Sequence, residues 1–132
     1  MTAPVPLTFS AWRDGPPKRY VTLAELLLRM GEFALELTWT VEVYEEGVHP
    51  ELERAAALGR IGTLELLALV APARQLVDGD YDGYDAGGRL VLELQEFDGT
   101  SWDLRTAEPL VLDAVRRWFP DAEPSPPGAW DE

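Results

Sequence analysis

Apolar and polar residues alternate along several stretches of the chain, which is the period-2 pattern of half-buried strands. The alternation runs over residues 5–11, then over residues 33–43, and again over residues 90–94. An Asp98-Gly99 pair follows the last of these and predicts a turn into a short partner strand at residues 102–104. Because each strand has one polar face, we expect an antiparallel or mixed sheet, since strands covered on both faces are apolar throughout.

A second spacing, of three to four residues, predicts four helices. The first follows Thr22 and Glu25, which form a capping box, and ends at Gly31. The next begins at Pro50 and runs to about residue 58, and a third covers residues 64 to about 71. The last begins after Thr106 and is stopped by Pro120.

These elements follow one another in the order β-α-β-α-α-β-β-α. That order predicts a single α+β domain over residues 1–120, with a mostly antiparallel (mixed) sheet and helices packed on one face. Residues 121–132 are rich in proline and acid and show no periodicity. They therefore predict a disordered tail.

The composition and the absence of targeting signals predict where in the cell the protein is located. The chain has 132 residues, 46% hydrophobic and 27% charged, which is a globular balance, and it has no cysteine. Its N-terminus lacks the features of a signal peptide, and no apolar run reaches the roughly 18 residues of a membrane span. Ten arginines against one lysine are typical of a GC-rich, bacterial genome. We expect a soluble cytoplasmic protein without membrane contact.

Negative charge is concentrated in the last two thirds of the sequence. Residues 1–40 are neutral, whereas residues 41–132 hold seven arginines against twenty acidic residues and carry the whole net charge of −13. Such a field repels phosphate backbones and anionic lipid and attracts cations. It predicts a basic protein partner and no direct binding of nucleic acid.

The sharpest motif is Asp78-Gly79-Asp80-Tyr81-Asp82-Gly83, which we interpret as part of an acidic, glycine-rich loop. Carboxylates at spacing two and then a glycine match the first half of a calcium loop, so Asp78, Asp80 and Asp82 are candidate metal ligands. Position 12 of that motif is Arg89 rather than glutamate, and helices do not flank it. Calcium is thus a candidate cofactor, and the alternative is a loop that binds none.

The same segment can serve as an interaction surface, because tyrosine is a preferred interface anchor and carboxylates pair with arginine or lysine. The candidate partner-binding residues are Asp78, Asp80, Tyr81, Asp82, Tyr84 and Asp85. Immunity proteins and antitoxins are small acidic proteins of this kind. An acidic surface can also mimic nucleic acid if its carboxylates line one face, to which Glu36 and Glu42 and the residues at 43–46, 51 and 53 could contribute.

Catalytic motifs are weak. His49 is the only histidine and precedes Pro50 in a turn, and no serine lies in a nucleophile elbow. We therefore predict a non-enzymatic module with no catalytic residues, which binds and inhibits a basic partner. The alternatives are a calcium-binding domain and a small enzyme of unknown chemistry, and the sequence leaves open whether the protein is a monomer or a homodimer.

Overall fold

The computed structural model describes residues 3–44, 47–71 and 76–130, and these form a single α+β fold. Its strands are β1 (Val5–Ser10), β2 (Trp12–Arg13), β3 (Arg19–Tyr20), β4 (Thr38–Val43), β5 (Ile61–Gly62), β6 (Gly79–Tyr84), β7 (Leu90–Phe97), β8 (Ser101–Thr106) and β9 (Glu123–Pro124). Its helices are α1 (Leu23–Met30), α2 (Glu32–Leu35), α3 (Pro50–Ala57), α4 (Thr63–Val70) and α5 (Pro109–Trp118).

One antiparallel sheet organises the fold. Its strand order in the described residues is β5-β4-β6-β7-β8-β1-β9, and β2 and β3 form a separate hairpin. The β7–β8 hairpin turns at Asp98 and Gly99 as predicted, and both residues have positive φ angles, which aspartate and glycine tolerate. The predicted fold class, an α+β domain with an antiparallel sheet, is confirmed.

The hydrophobic core lies on one face of the sheet. A cross-strand row of Val41, Tyr81, Leu94, Leu104 and Leu7 crosses five strands on that face. The helices cover this row with their apolar sides, and the ring of Phe119, just after α5, stacks on Phe9 at 4.2 Å between centroids. Helix α1 begins as predicted, since the Thr22 side chain accepts a hydrogen bond from the Glu25 N–H.

The long strand predicted over residues 33–43 is half that length. Residues Glu32–Leu35 form α2, and β4 begins only at Thr38. Helix α2 forms because Ala34 is fully buried and its carbonyl accepts a hydrogen bond from the Thr63 hydroxyl at the start of α4. Tertiary packing therefore overrides the local alternation.

The tail also differs from its prediction. Residues 123–124 form β9 on the edge of β1, and the Ser125 N–H donates to the Pro6 carbonyl at 3.1 Å. Asp121 pairs with Arg13 at 2.6 Å. These contacts satisfy backbone groups that an exposed edge strand would leave unpaired. Residues 131 and 132 of the predicted tail lie outside the described residues.

The longest helix in the described part of the chain, α5, has ten residues. None of the described helices combines the length and apolar character that crossing a bilayer requires.

Candidate functional site

The motif predicted as an acidic loop is a strand in the middle of the sheet. Strand β6 pairs with β4 on one side and with β7 on the other. The buried positions of β6 are Gly79, Tyr81 and Gly83, which therefore face the core. Gly83 lies so close to the core that a Cβ there would be 3.1 Å from the buried ring of Trp39. Asp80 and Asp82 consequently point to the opposite face. The alternation of glycine and aspartate encodes a strand rather than a turn.

This geometry does not support the calcium alternative. Residues two apart on a strand are separated by about 6.5–7 Å, whereas a calcium loop wraps its ligands around one ion. The Asp78 carboxylate accepts a hydrogen bond from the Asp98 N–H at 2.7 Å. Within the described residues, no group of three acidic or histidine side chains is placed to hold a metal ion.

The six predicted partner-binding residues are divided among different environments. Asp80 and Asp82 lie together on the open face of the sheet, and Asp78 lies beside them, immediately before β6. Tyr81 is fully buried in the core, so the prediction that it anchors a partner at the surface is wrong. Tyr84 lies against the guanidinium of Arg60, 3.7 Å from the ring centroid. Asp85 accepts hydrogen bonds from the N–H groups of Gly87 and Arg89 within the turn.

Polar residues from four neighbouring strands line the open face of the sheet. The cross-strand register places them in two rows, one running from Glu42 through Asp80 and Gln95 to Asp103, the other from Asp82 through Glu93 to Arg105. We call this surface the acidic face, and it consists of Glu42, Asp80, Asp82, Glu93, Gln95, Asp103 and Arg105. It contains five carboxylates and one cation.

The register brings like charges directly opposite one another. Glu42 faces Asp80 across β4 and β6, and Asp82 faces Glu93 across β6 and β7. Such pairs destabilise a sheet. Arg105 offsets part of the repulsion, since its guanidinium donates two hydrogen bonds to the Glu93 carboxylate at 2.6 and 2.7 Å. The Asp80–Glu42 side of the face has no such cation within the seven residues.

Ionisation of Asp82 is opposed by its surroundings. Partial burial raises its pKa to about 6, the charges of Glu93 and Asp80 contribute in the same direction, and Arg105 lowers the pKa only in part. Burial also raises the pKa of Asp103, while the Thr8 hydroxyl that donates to it at 2.5 Å acts in the opposite direction. The acidic face thus holds carboxylates that a positive charge would stabilise.

Aromatic side chains border the acidic face. Apart from Asp103, its residues line a concavity of about 620 Å³ whose lining also includes Tyr44, Phe97 and Trp130. The Tyr44 hydroxyl donates to Asp80 at the β4 end. At the β8 end, the Trp130 ring lies over the guanidinium of Arg105 at 4.5 Å. Rings beside carboxylates are the chemistry that receives guanidinium or ammonium groups.

Beneath one end of the concavity lies a buried carboxylate. Glu96 is 2% exposed and accepts hydrogen bonds from the hydroxyls of Tyr20 and Tyr81, the latter at 3.0 Å. Burial raises the pKa of Glu96, and burial with the nearby carboxylate raises the pKa of both tyrosines. Raised pKa values keep the phenols protonated, so they are donors here rather than nucleophiles.

Of the acidic face, the sequence predicted Asp80, Asp82 and the outward position of Glu42. Glu93 also has a sequence signal, because it alternates with Leu92 and Leu94. Tyr44 and Trp130 have none, since their positions depend on contacts with Asp80 and Ser125. Glu36 lies outside β4, and the acidic residues at positions 45 and 46 lie outside the described residues.

Comparison of the chain with protein families, curated proteins and solved structures gives no match.

Proposed function

We propose that the protein is a non-enzymatic binding module whose acidic face binds, and thereby inhibits, a basic partner protein. The observation that carries this proposal is the register, which collects carboxylates from β4, β6, β7 and β8 on the one sheet face that the helices leave uncovered. A soluble protein gains little from placing like charges opposite one another in a sheet. A cationic partner removes that cost when it binds.

Electrostatic complementarity gives the expected behaviour of such a complex. The net charge of −13 steers a basic partner towards the protein, and the carboxylates of the face fix its position. A cationic site that normally binds phosphate groups is complementary in charge to the acidic face. The partner class therefore includes toxins and other nucleic-acid-binding proteins, with the acidic face as the nucleic-acid mimic.

An affinity capture with matched variants tests the proposal. Wild-type protein, Asp80→Asn/Asp82→Asn and the control Glu65→Gln/Asp113→Asn are immobilised and exposed to an extract of the source cells at low salt. Both double variants lose two negative charges, but Glu65 and Asp113 are exposed on helices α4 and α5. We expect one basic protein that the wild type and the control capture and that the acidic-face variant does not.

The captured protein is then purified and titrated against the three forms. Since an exposed charge pair contributes about 0.2–1 kcal/mol, loss of two carboxylates should weaken binding by roughly 2- to 30-fold. Wild-type affinity should also fall as the salt concentration rises from 50 to 300 mM. Equal binding by both double variants, or affinity independent of salt, contradicts the proposal.

An enzymatic role is the second candidate, and one observation favours it. Asp82 is a carboxylate with a raised pKa inside a concavity, which is the property of a general acid. The binding proposal is preferred because the neighbours of Asp82 on the face are further carboxylates and an arginine held by Glu93. Turnover of a substrate that is lost in Asp82→Asn but kept in Asp113→Asn would favour the enzyme.

A further inference from the structure

The C-terminal segment brings an aromatic side chain to the acidic face. Strand β9 pairs with β1, which fixes the segment along the edge of the sheet. Asp121 adds an anchor, because its carboxylate accepts hydrogen bonds from Arg13 at 2.6 Å and from the Ser10 N–H at 2.8 Å. From these fixed points the chain returns over the open face and places Trp130 there.

A chain of hydrogen bonds holds Trp130 in position. The indole Nε1–H lies 3.3 Å from the Ser125 hydroxyl oxygen, which is 2.8 Å from the Thr8 hydroxyl oxygen, and Thr8 donates to Asp103 at 2.5 Å. Each hydroxyl has one proton, so the donors run in one direction, from the indole to the carboxylate. An aromatic ring fixed in advance loses little conformational entropy when a partner binds it.

An aromatic side chain lies at each end of the acidic face. At the β8 end, Trp130 covers Arg105, whose guanidinium is held in turn by Glu93. This arrangement of ring and carboxylate already accommodates one guanidinium. At the β4 end, Tyr44 is 54% exposed and donates its hydroxyl proton to Asp80. An aromatic side chain thus lies on both sides of the concavity, over the Arg105–Glu93 pair on one side and hydrogen-bonded to Asp80 on the other.

On the basis of the proposed function, we propose that Trp130 and Tyr44 are the two aromatic anchors of the partner. The bound element is then a short, extended, arginine- or lysine-rich segment that crosses the strands from β4 to β8. Three spacings between neighbouring strands measure about 14 Å, which about four extended residues span. The stems of its cationic side chains pack on the rings, and their charges meet Asp80 and Asp82 between them.

Fluorescence polarisation with labelled hexa-arginine and tri-arginine peptides tests this inference. We expect Trp130→Ala to weaken hexa-arginine binding by about two- to fivefold, the equivalent of one lost cation–π contact. Trp12→Ala is the matched control, because Trp12 is also partly exposed but lies in the β2–β3 hairpin. Trp130→Phe keeps an aromatic ring and should retain most of the affinity. Tri-arginine, whose extended backbone spans only about 10 Å, should bind more weakly per arginine.

The outcomes separate the two proposals. If Asp80→Asn/Asp82→Asn weakens binding but Trp130→Ala leaves it unchanged, the anchor inference is overturned and the binding function stands. Tighter binding by Trp130→Ala also overturns the inference, because the tail would then compete with the peptide for the acidic face. If the double variant binds as well as Glu65→Gln/Asp113→Asn, the proposed function itself fails. Circular dichroism and the Trp130→Phe variant exclude misfolding as the cause of a loss.

Discussion

Asp82→Asn should make the protein more stable at neutral pH. The pKa of Asp82 is about 6 in the folded protein, against an ordinary value of 3.8. An acid with a raised folded-state pKa costs stability once it ionises, and this cost develops as pH rises from the unfolded to the folded pKa. Asparagine has nearly the same shape and never ionises. The variant therefore gains over the wild type between about pH 4 and pH 6.

The size of the gain follows from the shift. At about 1.36 kcal/mol per pKa unit the full shift corresponds to roughly 3 kcal/mol. Asp82 is only half-buried, and solvent screening reduces the energies of such exposed charges considerably. We therefore expect Asp82→Asn to raise the free energy of unfolding by about 1 kcal/mol at pH 7.5 and by only a few tenths at pH 4.

Urea denaturation followed by tryptophan fluorescence measures the effect at both pH values. Asp113→Asn is the control, because Asp113 is an exposed carboxylate on the outer side of α5. A carbon-detected NMR titration of the Asp82 carboxyl group gives the pKa directly. The reasoning is refuted if Asp82→Asn destabilises the protein at pH 7.5, or if its effect is the same at both pH values.

Four further predictions concern the core, the tail and metal binding. Gly79→Ala should lower stability by about 1–3 kcal/mol in urea denaturation, since its Cβ would collide with the Tyr81 hydroxyl. Glu96→Ala should cost a similar amount because it leaves that buried hydroxyl unpaired, whereas Glu96→Gln keeps an acceptor and should cost less. Deletion of residues 121–132 exposes the β1 edge, so light scattering should detect aggregation. Millimolar calcium should leave the melting temperature unchanged, because the described residues form no metal-binding group and only a bound ion would raise that temperature.

Elements with strong local signals were predictable. Both caps of helix α1, Thr22 and Gly31, are recognisable from the sequence. The β7–β8 hairpin has alternating leucines and an Asp-Gly turn, and α5 ends where Pro120 prevents continuation. These signals act over a few residues and do not depend on the rest of the fold.

Strand β6 was not predictable in this way. Two of its three core-facing residues, Gly79 and Gly83, have no side chain and so contribute nothing to an apolar pattern. Glycine is required there because Tyr81 and Trp39 occupy the space beside the strand. Those neighbours come from the strand itself and from β4, which is distant in sequence, and only the assembled sheet brings Trp39 opposite Gly83.

The acidic face was predictable only in part for the same reason. Alternation shows that Glu42 and Glu93 point away from the core. It does not show that β6 lies between β4 and β7, and this topology is what makes Asp82 the neighbour of Glu93. The place of Trp130 depends on Ser125 and Thr8, which are 117 residues apart.

Asp82→Asn also distinguishes three explanations of the charge. If the acid served solubility alone, the substitution would raise stability but would change partner binding by no more than Asp113→Asn does. If Asp82 held the sheet together, its loss would destabilise the protein. A binding face predicts opposite signs for one substitution, namely higher stability and weaker binding, because the repulsion among Asp82, Glu93 and Asp80 is relieved either by asparagine or by the partner's cations. Measuring both quantities on the same variant therefore identifies which of the three applies.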